Sequence, residues 1–309
     1  MRLKNLLLIG AITLALLACQ NEETNLDLVG PLSDEPIFLD LPAGISSNAR
    51  KSKSENNLAV YMAEYITSGQ SDEIGRTIFF SDRGNKQLAG DFVPALSLDG
   101  SPDISYYVDA SRPSKDLSVE LSTPAIQRAM ATWDEITCSE LGMTEVPYSK
   151  KNKTGFISDL FGFGGSAEYV ADVTHCGWLQ GDFFDILAPG GSEFILGVTF
   201  TIVFTDDAGN LVDTDNNGKY DVAWREIYYN DNFMWNDGAT YDIETIALHE
   251  AGHGLSQAHF GEAFLSGGNF KLHFNPRAVM NAAYSGVQTE ILQSDNAGHC
   301  SNWAEWPNH

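Results

Sequence analysis

The chain has 309 residues, is 43 % hydrophobic, and carries 18 Lys and Arg against 42 Asp and Glu, a net charge of −24. That balance argues against nucleic acid and anionic lipid surfaces as partners, because both would repel it. The length and apolar fraction suit one substantial domain with a smaller N-terminal portion.

In chain order, Arg2 and Lys4 precede an apolar run, Leu6–Ala18, that falls short of the about 20 residues needed to span a bilayer. A charged start followed by such a run reads as a secretory signal over residues 1–18. Leu16-Leu17-Ala18-Cys19 resembles a bacterial lipobox. That resemblance implies lipidation of Cys19 and a lipid anchor in the membrane; cutting after Ala18 by the ordinary signal peptidase is the alternative. Gln20, in place of Asp, points to an outer-membrane lipoprotein of the cell envelope, and the following Asn-Glu-Glu to surface exposure. Residues 19–55 are rich in Asp, Glu, Asn, Ser and Pro and read as a flexible tether. Residues 56–98 read as a small N-terminal subdomain or propeptide. Within them Asn57–Thr67 is expected as a short helix, and Arg76–Phe80 and Gln87–Val93 as strands flanking the hairpin loop Ser81–Lys86 with its Gly84.

Beyond residue 98, Ile104–Asp109 reads as a strand. Thr123-Pro124 then opens a helix, with Thr as cap and Pro at the first helical position. Ile126, Met130, Trp133 and Ile136 form its apolar stripe. Phe156–Gly165 reads as a flexible aromatic loop. If Cys19 is lipidated, Cys138, Cys176 and Cys300 remain, enough for one bridge in an oxidising envelope. The sequence does not fix the pairing; Cys138–Cys176 is the expectation, closing the first helix onto the region after it. His175 beside Cys176 lacks a second Cys/His pair nearby, and His273, His299 and His309 have no ligand-like spacing. Phe194–Phe204 and Asp221–Asn230 are rich in β-branched and aromatic residues and read as strands.

The link between those two strands places Asp213, Asp215, Asn217 and Asp221 around Gly218. Oxygen-bearing side chains at alternate positions followed by Gly match the first half of an EF-hand loop. Trp224 stands where the bidentate Glu would be, so this is not an EF-hand. It remains a candidate calcium loop, with Glu226 or Asp231 assisting, or else a polar hairpin built from turn residues.

Residues 249–259 read His-Glu-Ala-Gly-His-Gly-Leu-Ser-Gln-Ala-His. His249 and His253, four apart, share one face of a helix and can bind one zinc ion. Glu250 lies beside that metal as a candidate general base. His259 is the candidate third ligand if the helix ends and the chain turns back; Glu262 and Glu290 are the alternatives. Three protein ligands leave one position for water, the mark of a catalytic site. Asp242 is placed to cap the helix, and Ile243, Ala247, Ala251 and Leu255 recur on another face. Downstream, residues 277–284 read Arg-Ala-Val-Met-Asn-Ala-Ala-Tyr.

These residues resemble the metzincin clan of zinc endopeptidases, most closely its matrixin type. The clan's pattern is His-Glu-x-x-His-x-x-Gly-x-x-His followed by a Met-turn. His249, Glu250, His253 and His259 fall on it in register, with Ser256 where the clan has Gly. The resemblance covers roughly residues 99–309 and implies a zinc metallopeptidase domain of α+β class. Such a domain has a twisted, mainly parallel sheet with an antiparallel edge strand, an active-site helix and a Met-turn. It implies that Met280 is the Met-turn methionine and that Tyr284 walls the primed-side substrate pocket, with Ala282 where matrixins have proline. It places the cleft's edge strand near Gly197–Phe204, where an extended protein or peptide substrate would pair by strand addition. Many matrixins are kept latent by a propeptide cysteine; no cysteine lies between Cys19 and Cys138, so that switch is excluded. A carboxylate such as Asp91 or Asp99 could block the metal instead. The expected activity is peptide-bond hydrolysis by metal-activated water with Glu250 as base, in a monomer. A surface-binding lipoprotein without catalysis and a zinc hydrolase of a non-protein amide are the alternatives.

Overall fold

The computed structural model describes residues 32–41, 57–70, 72–80, 90–266 and 271–307. The expected signal segment, Cys19, most of the expected tether, residues 81–89 and His309 lie outside the described residues. The elements in order are β1 (Ile37–Phe38), β2 (Asn57–Thr67), β3 (Thr77–Phe79), β4 (Gly90–Asp91), β5 (Ile104–Val108), α1 (Val119–Asp134), β6 (Met143–Glu145) and α2 (Phe156–Leu160). They continue as β7 (Val173–Leu179), α3 (Asp182–Asp185), β8 (Ile195–Thr205), β9 (Tyr220–Asn230), α4 (Ile243–Gly254), β10 (Glu262–Leu265), β11 (Leu272–Asn275) and α5 (Gln293–Trp303).

Nine strands form one mixed, mainly parallel sheet in the order β1-β3-β2-β8-β9-β7-β5-β6, with β4 beside the start of β9. In the parallel half, β9-β7-β5-β6, the strands β9, β7 and most of β5 are buried on both faces, whereas the short end strand β6 is partly exposed. One face packs against α1 and α4 through Ile126, Ala129, Met130, Trp133, Ala247 and Ala251. The other packs against α2 and α3 through an aromatic cluster of Phe156, Phe183, Phe184, Phe200 and Tyr228. The Trp133 indole N–H donates to the Leu248 carbonyl at 2.8 Å, fixing α1 on α4. Ile104–Asp109, Phe194–Phe204 and Asp221–Asn230 are strands to within a residue or two of expectation.

Several expectations are corrected. Asn57–Thr67 is a strand, not a helix: its Leu, Ala, Met and Glu suit a helix locally, but pairing along β8 decides the outcome. The expected hairpin between 76–80 and 87–93 does not form, because β3 pairs with β1 and β2 while β4 pairs with β9. Gly197–Phe204 is not an edge; β8 is paired on both sides, by β2 and β9. The first helix opens at Val119 rather than Thr123, with Pro124 inside it. The carbonyl that Pro124 leaves unbonded is that of Glu120, which is exposed to water. Phe156–Gly165 begins with the buried helix α2, whose first amides, Phe156 and Ile157, donate to Glu226 at 2.8 and 2.9 Å.

The disulfide is Cys138–Cys300, not Cys138–Cys176. Cys176 points into the aromatic face of the sheet, opposite the α1 side where Cys138 lies, and is free and buried. The bridge ties the end of α1 to α5.

Candidate metal centre

Asp242 opens α4, accepting from the Thr245 N–H at 2.9 Å, as its position before the apolar run predicts. His249 and His253 follow one turn apart, both buried. The helix then ends in a Schellman turn: the Ser256 N–H donates to His253 O at 3.0 Å and the Gln257 N–H to Gly252 O at 2.9 Å. Ser256 takes the left-handed conformation, φ 63°, that the motif assigns to Gly. That conformation is unfavourable for a residue with a Cβ by about 1–2 kcal/mol, and Ser256 offsets it with its hydroxyl. The hydroxyl donates to Gly90 O at 2.9 Å and accepts from Arg225 at 2.9 Å. Arg225 also donates to Gly254 O at 2.8 Å and Thr201 Oγ1 at 3.1 Å, so a buried guanidinium clamps the whole turn.

The turn delivers His259 to the other two rings. His253 Nε2 lies 3.1 Å from His249 Nε2 and 3.2 Å from His259 Nε2. Three nitrogens placed tetrahedrally 2.0–2.1 Å from one zinc ion would lie about 3.3–3.4 Å apart. The opposite ring nitrogens are engaged: His249 Nδ1 faces Val279 O at 2.8 Å and His253 Nδ1 faces Gln257 O at 2.7 Å. With Nδ1 donating, each Nε2 presents its lone pair to the common point. Burial keeps the rings neutral, holding His249 down at about 4 and His253 and His259 well below the ordinary histidine range. The donor set, its spacing and its tautomers fit zinc. Glu262 and Glu290, the alternative third ligands, are exposed and stand apart from this group.

Glu250 is fully buried. Thr199 Oγ1 donates to its Oε2 at 2.6 Å, and the Ile66 backbone N–H is directed at the same carboxylate. Burial drives its carboxyl well above the usual range and the Glu64 carboxylate adds to the rise, against the Thr199 hydroxyl and the Ile66 N–H. Gly197 of β8 faces it; a Cβ there would stand 3.0 Å from Oε1.

Met280 lies directly beneath the helix. A Cβ at Gly252 would fall 2.3 Å from the Met280 sulfur and 2.9 Å from the Trp133 ring, so only Gly permits this approach. Asp295 of α5 holds the Met-bearing turn, accepting from the Val279 N–H at 2.9 Å and the Met280 N–H at 3.0 Å. Tyr284, half-buried, stands against Tyr241 with ring centroids 5.9 Å apart.

Residues missed in the sequence complete the site. Glu64 of β2 lies with Oε2 3.4 Å from His253 Nδ1, and burial pushes its carboxyl up to about 7 against the opposing field of Arg225. It, rather than Asp91 or Asp99, is the carboxylate beside the imidazoles. Asp91 is buried beside Lys219 at 3.3 Å, and Asp99 is exposed. Nothing local marks Glu64, Thr199, Arg225 or Asp295, because each acts through a contact across the fold.

The second cluster forms in part. Carboxylate oxygens of Asp213, Asp215 and Asp221 gather within 4.8 Å of one another. Asn217 joins them, its amide donating to Asp215 at 3.3 Å and to Asp91 at 3.0 Å, and Gly218 takes φ 86° at the turn. Glu226 and Asp231 do not assist: Glu226 caps α2 on the far face, and Asp231 accepts from the Lys115 N–H at 3.0 Å. Asp221 is pushed up to about 6, first by burial and then by Asp215 and Asp213.

The chain matches no protein-family model and no curated protein.

Proposed function

We propose that this chain is a zinc-dependent endopeptidase of the matrixin-like metzincin type, with the corresponding zincin fold over residues 99–309. The observation that carries the proposal is the convergence of the three Nε2 atoms beside the buried carboxylate of Glu250. Zinc held there would supply a Lewis acid that polarises a peptide carbonyl and lowers the pKa of water to about 7.

The remaining work falls to side chains. Glu250, desolvated and anchored at one oxygen by Thr199, accepts the proton of the attacking water and returns it to the leaving amine. Gly197 leaves room for a backbone to pass the carboxylate. Tyr284 and Tyr241 wall the side toward the leaving amine. A buried carboxylate placed beside the three imidazoles favours the catalytic reading over a pure binding role, which needs no base.

The same reading assigns calcium to Asp213, Asp215, Asn217 and Asp221, at the start of β9. It also assigns an outer-membrane lipid anchor to Cys19. No helix among the described residues is long and apolar enough to cross a membrane.

The test is zinc analysis together with hydrolysis of a mixed peptide library, by the chain before and after limited proteolysis. One zinc per chain, lost in His253→Ala, and peptide cleavage abolished by chelator sustain the proposal. Absence of cleavage in both zinc-loaded forms contradicts it.

A further inference from the structure

The two rails of the candidate cleft are already taken by a segment of the chain itself. β2 runs antiparallel to β8 with Ala63 opposite Phe200, Glu64 opposite Thr199, Tyr65 opposite Val198 and Ile66 opposite Gly197. Where β2 ends, Thr67 pairs in parallel with Ala283, and the Tyr284 N–H donates to Thr67 O at 2.8 Å. The segment 63–67 is therefore held between β8 on one side and the stretch after Met280 on the other. Gly197, the residue against the Glu250 carboxylate, is the partner of Ile66, so the Tyr65–Ile66 peptide lies at the general base. Ile66 is buried in the core cluster that Tyr241 and Tyr284 flank.

The turn after β2 closes over the metal ligands. A Cβ on Gly75 would fall 2.0 Å from Tyr65 O, 2.7 Å from Ala282 O and 3.1 Å from His259 Cε1. Gly75 also donates its N–H to Ala282 O at 2.6 Å. The Thr67 hydroxyl donates to Glu73 O at 2.9 Å, which folds the strap back on itself.

We propose that residues 62–67, strapped down by residues 72–76, are a built-in occupant of the substrate channel, seated as an extended peptide would be and holding the site latent until the strap leaves. This rests on the peptidase reading above and names its substrate class. A peptide that replaces the strap is extended, pairs with β8 through its backbone, and carries an aliphatic side chain at the place of Ile66. Strand addition supplies affinity from main-chain bonds, and alternate side chains supply specificity.

The test uses the full chain loaded with zinc and a fluorescent hydroxamate, a metal-chelating probe that needs the channel open. A site for a specific protease is placed within residues 81–89, so that the strap can be severed and washed off. Its partner is Gly75→Val, which crowds the strap against Tyr65 and Ala282 without a cut. The intact chain is expected to bind the hydroxamate at least 100-fold more weakly than the severed chain, with Gly75→Val between them. A synthetic peptide of residues 57–70 should restore the block competitively. Equal binding by intact and severed chains overturns the proposal. So does loss of the circular-dichroism signal on removal, because β2 would then be an integral strand. Hydroxamate binding gained without peptide hydrolysis sustains the strap and defeats the peptidase reading instead.

Discussion

Burying Glu250 as a carboxylate is costly, and the Thr199 hydroxyl and Ile66 N–H offset only part of that cost. Glu250→Gln keeps the shape and the Thr199 contact but removes the base. It should retain zinc and lower peptide hydrolysis by several orders of magnitude, measured on severed protein at equal zinc content. Arg225 makes the opposite kind of prediction. It lies under Ser256 and beside Glu64, and its own pKa is drawn down to about 10 by burial. Arg225→Met should cost about 3–5 kcal/mol in denaturant unfolding, because the buried Glu64 loses its counter-charge and the Schellman turn its clamp. The four motif residues His249, Glu250, His253 and His259 were legible in the sequence because helix periodicity and one turn bring them together. Arg225, Glu64 and Thr199 were not, since each sits in an apolar strand whose partner is far along the chain.

Among the elements, α4 and the turn bearing Met280 depend on each other through one missing methyl group. Gly252→Ala would drive a Cβ into the Met280 sulfur, and either the helix or the Met-bearing turn must shift. The expected result is a loss of about 1–3 kcal/mol and a faster release of zinc to a chelator, followed by a metal-sensitive dye. The acidic loop before β9 makes a pH-dependent prediction. Asp221 titrates higher in the folded chain, at about 6, than its ordinary value of 3.8. A raised carboxylate contributes stability at low pH and loses it as pH rises through about 6. Without divalent cations, the melting temperature should fall across pH 4 to 6 on account of this group. Calcium should restore it more at pH 7.5 than at pH 4.5, and Asp221→Asn should flatten both responses. The loop was legible from its alternating oxygens and Gly218. Its contact with Asp91 was not, because that strand arrives from 126 residues upstream.

For the molecule as a whole, β5 and β9 of the parallel half and the helices α1 and α4 were readable from local patterns, whereas β6, only three residues long, and β7, interrupted by Gly177, were not. Nor were the N-terminal strands. Asn57–Thr67 carries enough helix-forming residues to mislead, and only its pairing along the side of β8 away from β9 explains why it is extended. The same dependence on distant partners hid the Cys138–Cys300 bridge, which joins residues 162 apart. Closing so long a loop restricts the unfolded chain, so reduction should lower stability by about 4–5 kcal/mol, read as a drop in the denaturant midpoint with dithiothreitol. The central claim is that three imidazoles hold zinc for a glutamate that does the proton transfer. It is tested most directly by peptide-library hydrolysis with the zinc-loaded, severed chain beside its Glu250→Gln variant at matched zinc. The expected outcome is cleavage by the first and essentially none by the second. Equal rates from both, or none from a chain whose site binds hydroxamate, would contradict it.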